Sequence, residues 1–325
     1  MSEAVLMRAA VYDRYGGPEV LKIGEVARPE PGSGEILVEV VASSINAGDH
    51  HLMRGRPLPL RLAFGIFGPR SPTFGNDVAG RVAAVGADVS EFQVGDEVYG
   101  DMSNDGFGAH AEFVTSRPDS FAHKPRSASF VEAACVPTAA MTALQGLRDH
   151  GELVSGEELL VLGASGGVGH FAVQIAKAMG ARVTAATSKS DFARELGADD
   201  VLDYRTEDFS SGGRRWDVIF SAGGSRALSA YASALAPKGR FVHAGGAISQ
   251  LAKVGLFGGW FAREGKQLKA FLQQPRAGDL RTLNDFMDSG RVRPFVDEVY
   301  PLQRIADALT HFESGGARGK LVVTR

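Results

Sequence analysis

The chain has 325 residues, 44% hydrophobic and 22% charged, with a formal net charge of −3 and a single cysteine, Cys135. This length suits two domains of ordinary size, and the charge balance gives no overall basic excess for nucleic acid or anionic lipid. One cysteine excludes an intramolecular disulfide and any multi-cysteine metal site. No stretch approaches the roughly 20 apolar residues of a membrane span. The N-terminus lacks the basic-then-apolar pattern of a secretion signal, so a reducing, cytoplasmic location is expected.

Residues 1–125 predict a β-rich unit. Apolar or β-branched runs at 9–12, 36–44, 78–85 and 97–99 read as strands, separated by turn-forming clusters at 16–18, 29–34 and 95–96. From about residue 130 the texture changes. Residues 133–147 are alanine-rich and predict helix, with Cys135 packed in the core. Strand and helix patterns then alternate: a strand at 159–163, a helix to about 179, a strand at 182–187, a helix to about 196. Strands at 201–204 and 217–222, a helix over 226–235 and a strand at 240–244 follow. Repeated β-α-β units predict a doubly wound parallel sheet, so the fold class is α/β. The last piece has mixed texture and ends in a strand at 320–324.

Residues 159–170 read Leu-Leu-Val-Leu-Gly-Ala-Ser-Gly-Gly-Val-Gly-His, a strand entering a glycine-rich turn that opens a helix. Glycines let the backbone approach a pyrophosphate, and the helix start offers free N–H groups and partial positive charge. Ala164 replaces the first glycine of the usual fingerprint, while Gly166 and Gly169 keep the later ones. With Ser165, Gly167 and Val168 they form the expected dinucleotide cradle. Some 20 residues on, a site for NAD would place an acid to hold the ribose 2′-OH. Here that region reads Ala185-Ala186-Thr187-Ser188-Lys189-Ser190. A missing acid, the Ser188 hydroxyl and the Lys189 charge together favour the 2′-phosphate of NADPH. Loops at Ala222-Gly223 and Gly245-Gly246 follow later strands and should border the ribose and nicotinamide.

Further motifs occur in a fixed order. They are Tyr15-Gly16-Gly17-Pro18-Glu19-Val20-Leu21, Pro31-Gly32-Ser33-Gly34-Glu35-Ile36-Leu37-Val38 and Phe74-Gly75-Asn76-Asp77-Val78-Ala79-Gly80. Next come Phe92-Gln93-Val94-Gly95-Asp96-Glu97-Val98-Tyr99-Gly100, Pro137 to Leu144, and Arg318-Gly319-Lys320. With the glycine loop, they make nearly the whole chain resemble the medium-chain dehydrogenase/reductase superfamily, in its zinc-independent quinone oxidoreductase (zeta-crystallin-like) branch. The resemblance implies a GroES-like catalytic domain over 1–128, completed by about 290–325, around a Rossmann domain over 129–289. It implies that Lys189 and Tyr204 flank the adenosine 2′-phosphate, that Lys320 belongs to the cofactor-binding set, and that Asn46 lies in the active-site cleft. A homodimer is implied by analogy alone.

Relatives that use zinc carry its ligands at three positions, which here are Asn46, Asn76 and Thr138. None is a good zinc ligand. His50 and His51 are adjacent, and sequence neighbours rarely face one metal, so no metal is expected. Without zinc the hydride acceptor must already be electrophilic: a quinone or an α,β-unsaturated carbonyl, whose developing oxyanion modest donors can hold. The candidate donors are Asn46, His51 and Thr138, each also readable as an ordinary turn, loop or helix-start residue. The apolar run 254–261 fits a pocket or lid for a bulky lipophilic acceptor, and equally core or dimer packing. An NADPH-dependent quinone or enone reductase is therefore expected. A 2-enoyl thioester or alkenal reductase, and a cofactor-binding redox-sensing or structural protein with little turnover, stand beside it.

Overall fold

The computed structural model describes residues 5–245 and 248–325, so Gly246 of the expected cofactor loops lies outside the described residues. In chain order the strands and helices begin with β1 (Leu6–Val11), β2 (Lys22–Ala27), β3 (Ile36–Ser44), α1 (Ala47–Arg54), α2 (Leu60–Phe64), β4 (Asp77–Val85), β5 (Glu97–Asp101), β6 (Phe113–Ser116) and β7 (Phe121–His123). Next are α3 (Phe130–Ala134), α4 (Pro137–Gln145), β8 (Glu158–Leu162), α5 (Gly167–Ala178), β9 (Arg182–Ala186), α6 (Ser190–Glu195), β10 (Asp200–Leu202) and β11 (Trp216–Ser221). The rest are α7 (Leu228–Ala234), β12 (Leu235–Ala244), α8 (Ile248–Phe257), β13 (Gln267–Phe271), α9 (Ala277–Asp288), β14 (Val296–Pro301), α10 (Ile305–Glu313) and β15 (Lys320–Thr324).

Two compact units result: Met1–Thr138 with Pro275–Asp288 and Pro294–Arg325, and Ala139–Gln274 with Ser289–Arg293. In the first, the strand order is β14-β15-β3-β4-β5-β7, with β6 also on β3 and a separate β1-β2 pair. β15 runs antiparallel to β3, so the C-terminal strand completes the sheet begun by the N-terminal part. Apolar side chains of the central strands, including Ile36, Val38, Val78, Val98 and Phe121, form one core cluster. Tyr12, Met53, Phe74, Leu309 and Val323 belong to another. This unit extends past residue 128, because α3 packs on β3 and β4. It also takes in α9, which packs on β7. There the buried Tyr99 hydroxyl donates to Leu280 O (2.9 Å) or Asn284 Oδ1 (2.6 Å).

The second unit is built on six parallel strands in the order β10-β9-β8-β11-β12-β13. Its central strands are near-continuous apolar runs, as burial on both faces requires. Leu160, Ile219, Trp216, Tyr231 and Phe241 fill the core, with the Tyr231 and Phe241 rings stacked 4.0 Å apart. Strand order reverses between β8 and β11, and ligands of such sheets bind at the carboxyl ends beside that reversal. Buried Gln174 ties a late segment into the unit, donating to Arg293 O (2.9 Å) and accepting from Arg293 N (3.0 Å).

Candidate functional site

The glycine loop lies where β8 ends and α5 begins. Gly163 has φ +76°, and its backbone sits against Gly223, so the loops after β8 and β11 meet at the strand-order reversal. Gly169 permits the closest approach: a Cβ there would stand 2.0 Å from Gly163 O. α5 is capped by Gly166 without a side-chain hydrogen bond, leaving its first-turn N–H groups for an anion. A Cβ on Gly166 would meet only Gly163 O, and one on Gly223 or Gly245 would meet nothing within 4 Å. Ala164 is fully buried, and Ser165 Oγ accepts from Thr187 Oγ1 (3.0 Å), linking the loop to the end of β9. These features fit a dinucleotide.

Thr187 Oγ1 also accepts from Lys189 N (3.0 Å), shaping the turn that carries Ser188 and Lys189. Tyr204 Oη lies 3.4 Å from Ser188 Oγ, and Arg205 Nη2 is 3.5 Å from Ser188 O. The structure thus brings Ser188, Lys189 and Tyr204 into one corner and adds Arg205, a cation the sequence reading missed although it directly follows Tyr204. The nearby acid, Asp203, is engaged by Arg205, whose guanidinium holds its carboxyl down at about 2. Asp191 is paired with Arg194. No carboxylate of β9 or its following turn is set to bind a ribose 2′-OH.

The first unit holds a buried polar cluster centred on Asp77. Ser44, Asp77 and Asp101 are direct neighbours across β3, β4 and β5. Asp77 Oδ1 accepts from Thr138 Oγ1 (2.6 Å) and Thr138 N (2.8 Å). Its Oδ2 accepts from Ser44 Oγ and Asn46 Nδ2, both at 2.8 Å, and lies 3.4 Å from Lys320 Nζ. Lys320 opens β15 and is buried; its ammonium also donates to Asn46 Oδ1 (2.5 Å) and Ile45 O (3.0 Å). Asn46 starts α1 and has its backbone N–H taken by Asp49 (2.7 Å). Its side-chain amide is therefore oriented by Lys320 on one end and Asp77 on the other. Lys320, expected with the cofactor, here directs its charge into this cluster.

Burial and the facing charge of Asp77 push the Asp101 carboxyl up to about 6. Like charges directly opposite on neighbouring strands repel, and loss of hydration adds to the cost. Thr138 Oγ1 is 3.3 Å from Asp101 Oδ2, so one hydroxyl bridges both acids. Asn46 and Thr138 are joined through Asp77. His51 sits on α1 beside His50, with ring centroids 5.5 Å apart. Cys135 is fully buried, and burial pushes its thiol up to about 12, as a packed core residue requires. Nothing local in the sequence marks Asp77, Asp101 or Lys320 as one cluster.

The donor set does not suit zinc. Asn46 and Thr138 spend polar atoms on Asp77, and Asn76 offers only a neutral amide. Among the described residues no group of three His, Cys, Asp or Glu is placed to hold a metal ion. The 254–261 run is mixed in burial, and the pocket it borders is also lined by Arg263, Glu264 and Lys266. Val254 is core, whereas Leu256 and Trp260 are exposed, and Trp260 and Phe261 line a pocket with Ser229 and Ser233.

Residues 32–145 match the family model for the alcohol dehydrogenase GroES-like domain, and residues 196–323 match that for zinc-binding dehydrogenases. A 2-methylene-furan-3-one reductase of Solanum lycopersicum is 34% identical over 98% of this chain and 79% of the relative. A chloroplastic quinone-oxidoreductase homolog of Spinacia oleracea is 32% identical over 98% and 99%. An NADPH-dependent alkenal/one oxidoreductase of Arabidopsis thaliana is 33% identical over 98% and 79%. Among solved structures, the quinone oxidoreductase of Coxiella burnetii superposes with a TM-score of 0.88 at 28% identity, covering 99% and 100% of the two chains. The CurK enoyl reductase gives 0.84 at 29%, covering 98% and 99%. With its GroES-like unit, its Rossmann sheet and these relatives, the chain belongs to the medium-chain dehydrogenase/reductase superfamily, in the quinone oxidoreductase branch.

Proposed function

We propose that this protein is an NADPH-dependent oxidoreductase that delivers hydride, without a metal, to a quinone or an α,β-unsaturated carbonyl. The observation that carries the reading is the Asp77 cluster. At the three family ligand positions stand Asn46, Asn76 and Thr138, and two of these are hydrogen-bonded into a carboxylate network. With no Lewis acid to polarise a simple ketone, the acceptor must spread charge by itself. The names of the quinone oxidoreductase and alkenal/one oxidoreductase relatives support that class, and the enoyl reductase neighbour favours an enoyl thioester as the second acceptor.

NADPH supplies a hydride from its nicotinamide ring. Residues Ala164, Ser165, Gly166, Gly167, Val168 and Gly169 hold its pyrophosphate. Ser188, Lys189, Tyr204 and Arg205 hold the 2′-phosphate, and Ala222, Gly223 and Gly245 leave room for the ribose and ring. Asn46, fixed by Lys320, stabilises the developing oxyanion with its second amide N–H, His51 is a further donor, and Thr138, whose hydroxyl proton goes to Asp77, positions that carboxylate. A cytoplasmic, homodimeric enzyme is the corresponding assembly, with β13 as an edge strand of the six-stranded sheet.

A panel of 1,4-benzoquinone, naphthoquinones, alkenals and an enoyl thioester, each assayed with NADPH and NADH, tests this. Oxidation of NADPH by at least one quinone or enone, and preference over NADH, are expected. Lys189→Ala with Arg205→Ala should weaken NADPH by tenfold or more, about 1.4 kcal/mol, and leave NADH unchanged. An unchanged NADPH/NADH ratio overturns the cofactor assignment. Tight NADPH binding with no turnover of any acceptor overturns the enzyme reading.

A further inference from the structure

The overall charge of −3 conceals a local exception. Between Asp49 and Asp77 the chain runs through 27 residues, 50–76, without one Asp or Glu, and that stretch carries Arg54, Arg56, Arg61 and Arg70. Arg54 is neutralised by Glu313. Arg56, Arg61 and Arg70 form no ion pair among the described residues. Asp13, whose backbone oxygen would lie 3.2 Å from a Cβ on Gly68, is already beside Arg14 and Lys22.

The same stretch exposes apolar side chains. Phe67 is 98% exposed, Leu62 70%, Leu58 66% and Ile66 55%, and no residue of α2 is buried. Leu58 lies in the turn before α2, Leu62 on α2, and Ile66 and Phe67 in the loop that follows. The segment is nonetheless held from within. Tyr15 Oη donates to Gly65 O (2.7 Å), and the Arg61 guanidinium lies 4.5 Å from the Tyr15 ring while its Nε donates to Gly55 O (3.0 Å). Phe64 packs edge-on against Phe107, and Arg70 N donates to Phe64 O (2.8 Å). The exposed apolar groups therefore sit on a segment whose backbone is fixed.

We infer that residues 56–70 form a docking surface for an anionic lipid bilayer, with Leu58, Leu62, Ile66 and Phe67 entering the headgroup boundary and Arg56, Arg61 and Arg70 meeting lipid phosphates. Exposed apolar side chains with flanking cations and no acids are the composition that interfacial binding requires. The surface stands independently of which acceptor the enzyme reduces.

Co-sedimentation of the full chain with vesicles tests this. The protein should pellet with mixed phosphatidylcholine/phosphatidylglycerol vesicles, much less with phosphatidylcholine alone, and less again as salt is raised. Leu62→Ser with Phe67→Ser should lower the partition coefficient by about tenfold or more. Arg56→Gln with Arg70→Gln should lower it by about fivefold per arginine, with unchanged melting temperature as the control for folding. Pelleting that ignores vesicle charge, or an apolar double variant that binds like the parent, overturns the proposal. So does a double variant whose oligomeric mass or acceptor KM changes while vesicle binding does not, since the patch would then serve self-association or acceptor entry.

Discussion

Asp77 and Asp101 stand opposite each other on β4 and β5, buried, with one hydroxyl between them. Asp77 has Ser44, Asn46, Thr138 and Lys320 around it, whereas Asp101 has fewer donors, and burial with the facing charge of Asp77 raises its carboxyl. Asp101 therefore keeps its proton in the fold to about pH 6, whereas the unfolded chain releases it near the ordinary value of about 3.9. A raised carboxyl of this kind contributes stability below the unfolded value and loses it as pH climbs through the folded one. Asp101→Asn removes that titration and keeps an oxygen for Ser103 N, which donates to Asp101 Oδ1 at 2.8 Å. The variant should gain on the parent between about pH 4 and pH 7 by about 2 kcal/mol. Thermal melts across that range read the difference directly, and parallel curves would refute the raised Asp101 carboxyl. None of this was legible in the sequence. Lys320 and Asn46 are 274 residues apart, and only strand pairing brings β15 beside β3.

At the level of elements, the parallel sheet was legible and the edges of the fold were not. β8, β9 and β11 are short apolar runs, each followed by a turn, and the alternation with helices leaves one reading. β2, β6, β7, β13 and β14 are short, polar or half-exposed, so no periodicity marks them. The glycine turn was readable because its chemistry is local: the backbone at Gly163 must be tight and the helix start must be bare. Gly169→Ala tests that element. Its added methyl would sit 2.0 Å from Gly163 O, against a backbone atom that cannot move aside without reshaping the loop. A loss of about 1–3 kcal/mol is expected in denaturant melts, with NADPH affinity falling further than stability does. Undiminished NADPH binding would show that the loop does not hold the pyrophosphate.

On the scale of the whole chain, each unit has its own apolar core, and the first is assembled from three separated segments. Composition alone locates the texture change near residue 130 but not the return of α9, because an amphipathic helix carries no mark of which sheet it will cover. The charge summed over the molecule likewise hides the basic, apolar stretch at 56–70. The proposed metal independence is likewise argued from the entire chain. A structural zinc contributes folding free energy on the order of 10 kcal/mol, and its four ligands are typically drawn from cysteine and histidine. One buried cysteine cannot anchor such a lobe, and Asn46, Asn76 and Thr138 give a catalytic zinc no thiolate, imidazole or carboxylate. Prolonged dialysis against a chelator should therefore leave melting temperature, NADPH binding and acceptor turnover unchanged, and elemental analysis of the dialysed protein should find less than one zinc per chain. Stoichiometric zinc added back should raise none of the three. A turnover that falls on chelation and returns with zinc would place a metal in the reaction and remove the reason for requiring an acceptor that is already electrophilic.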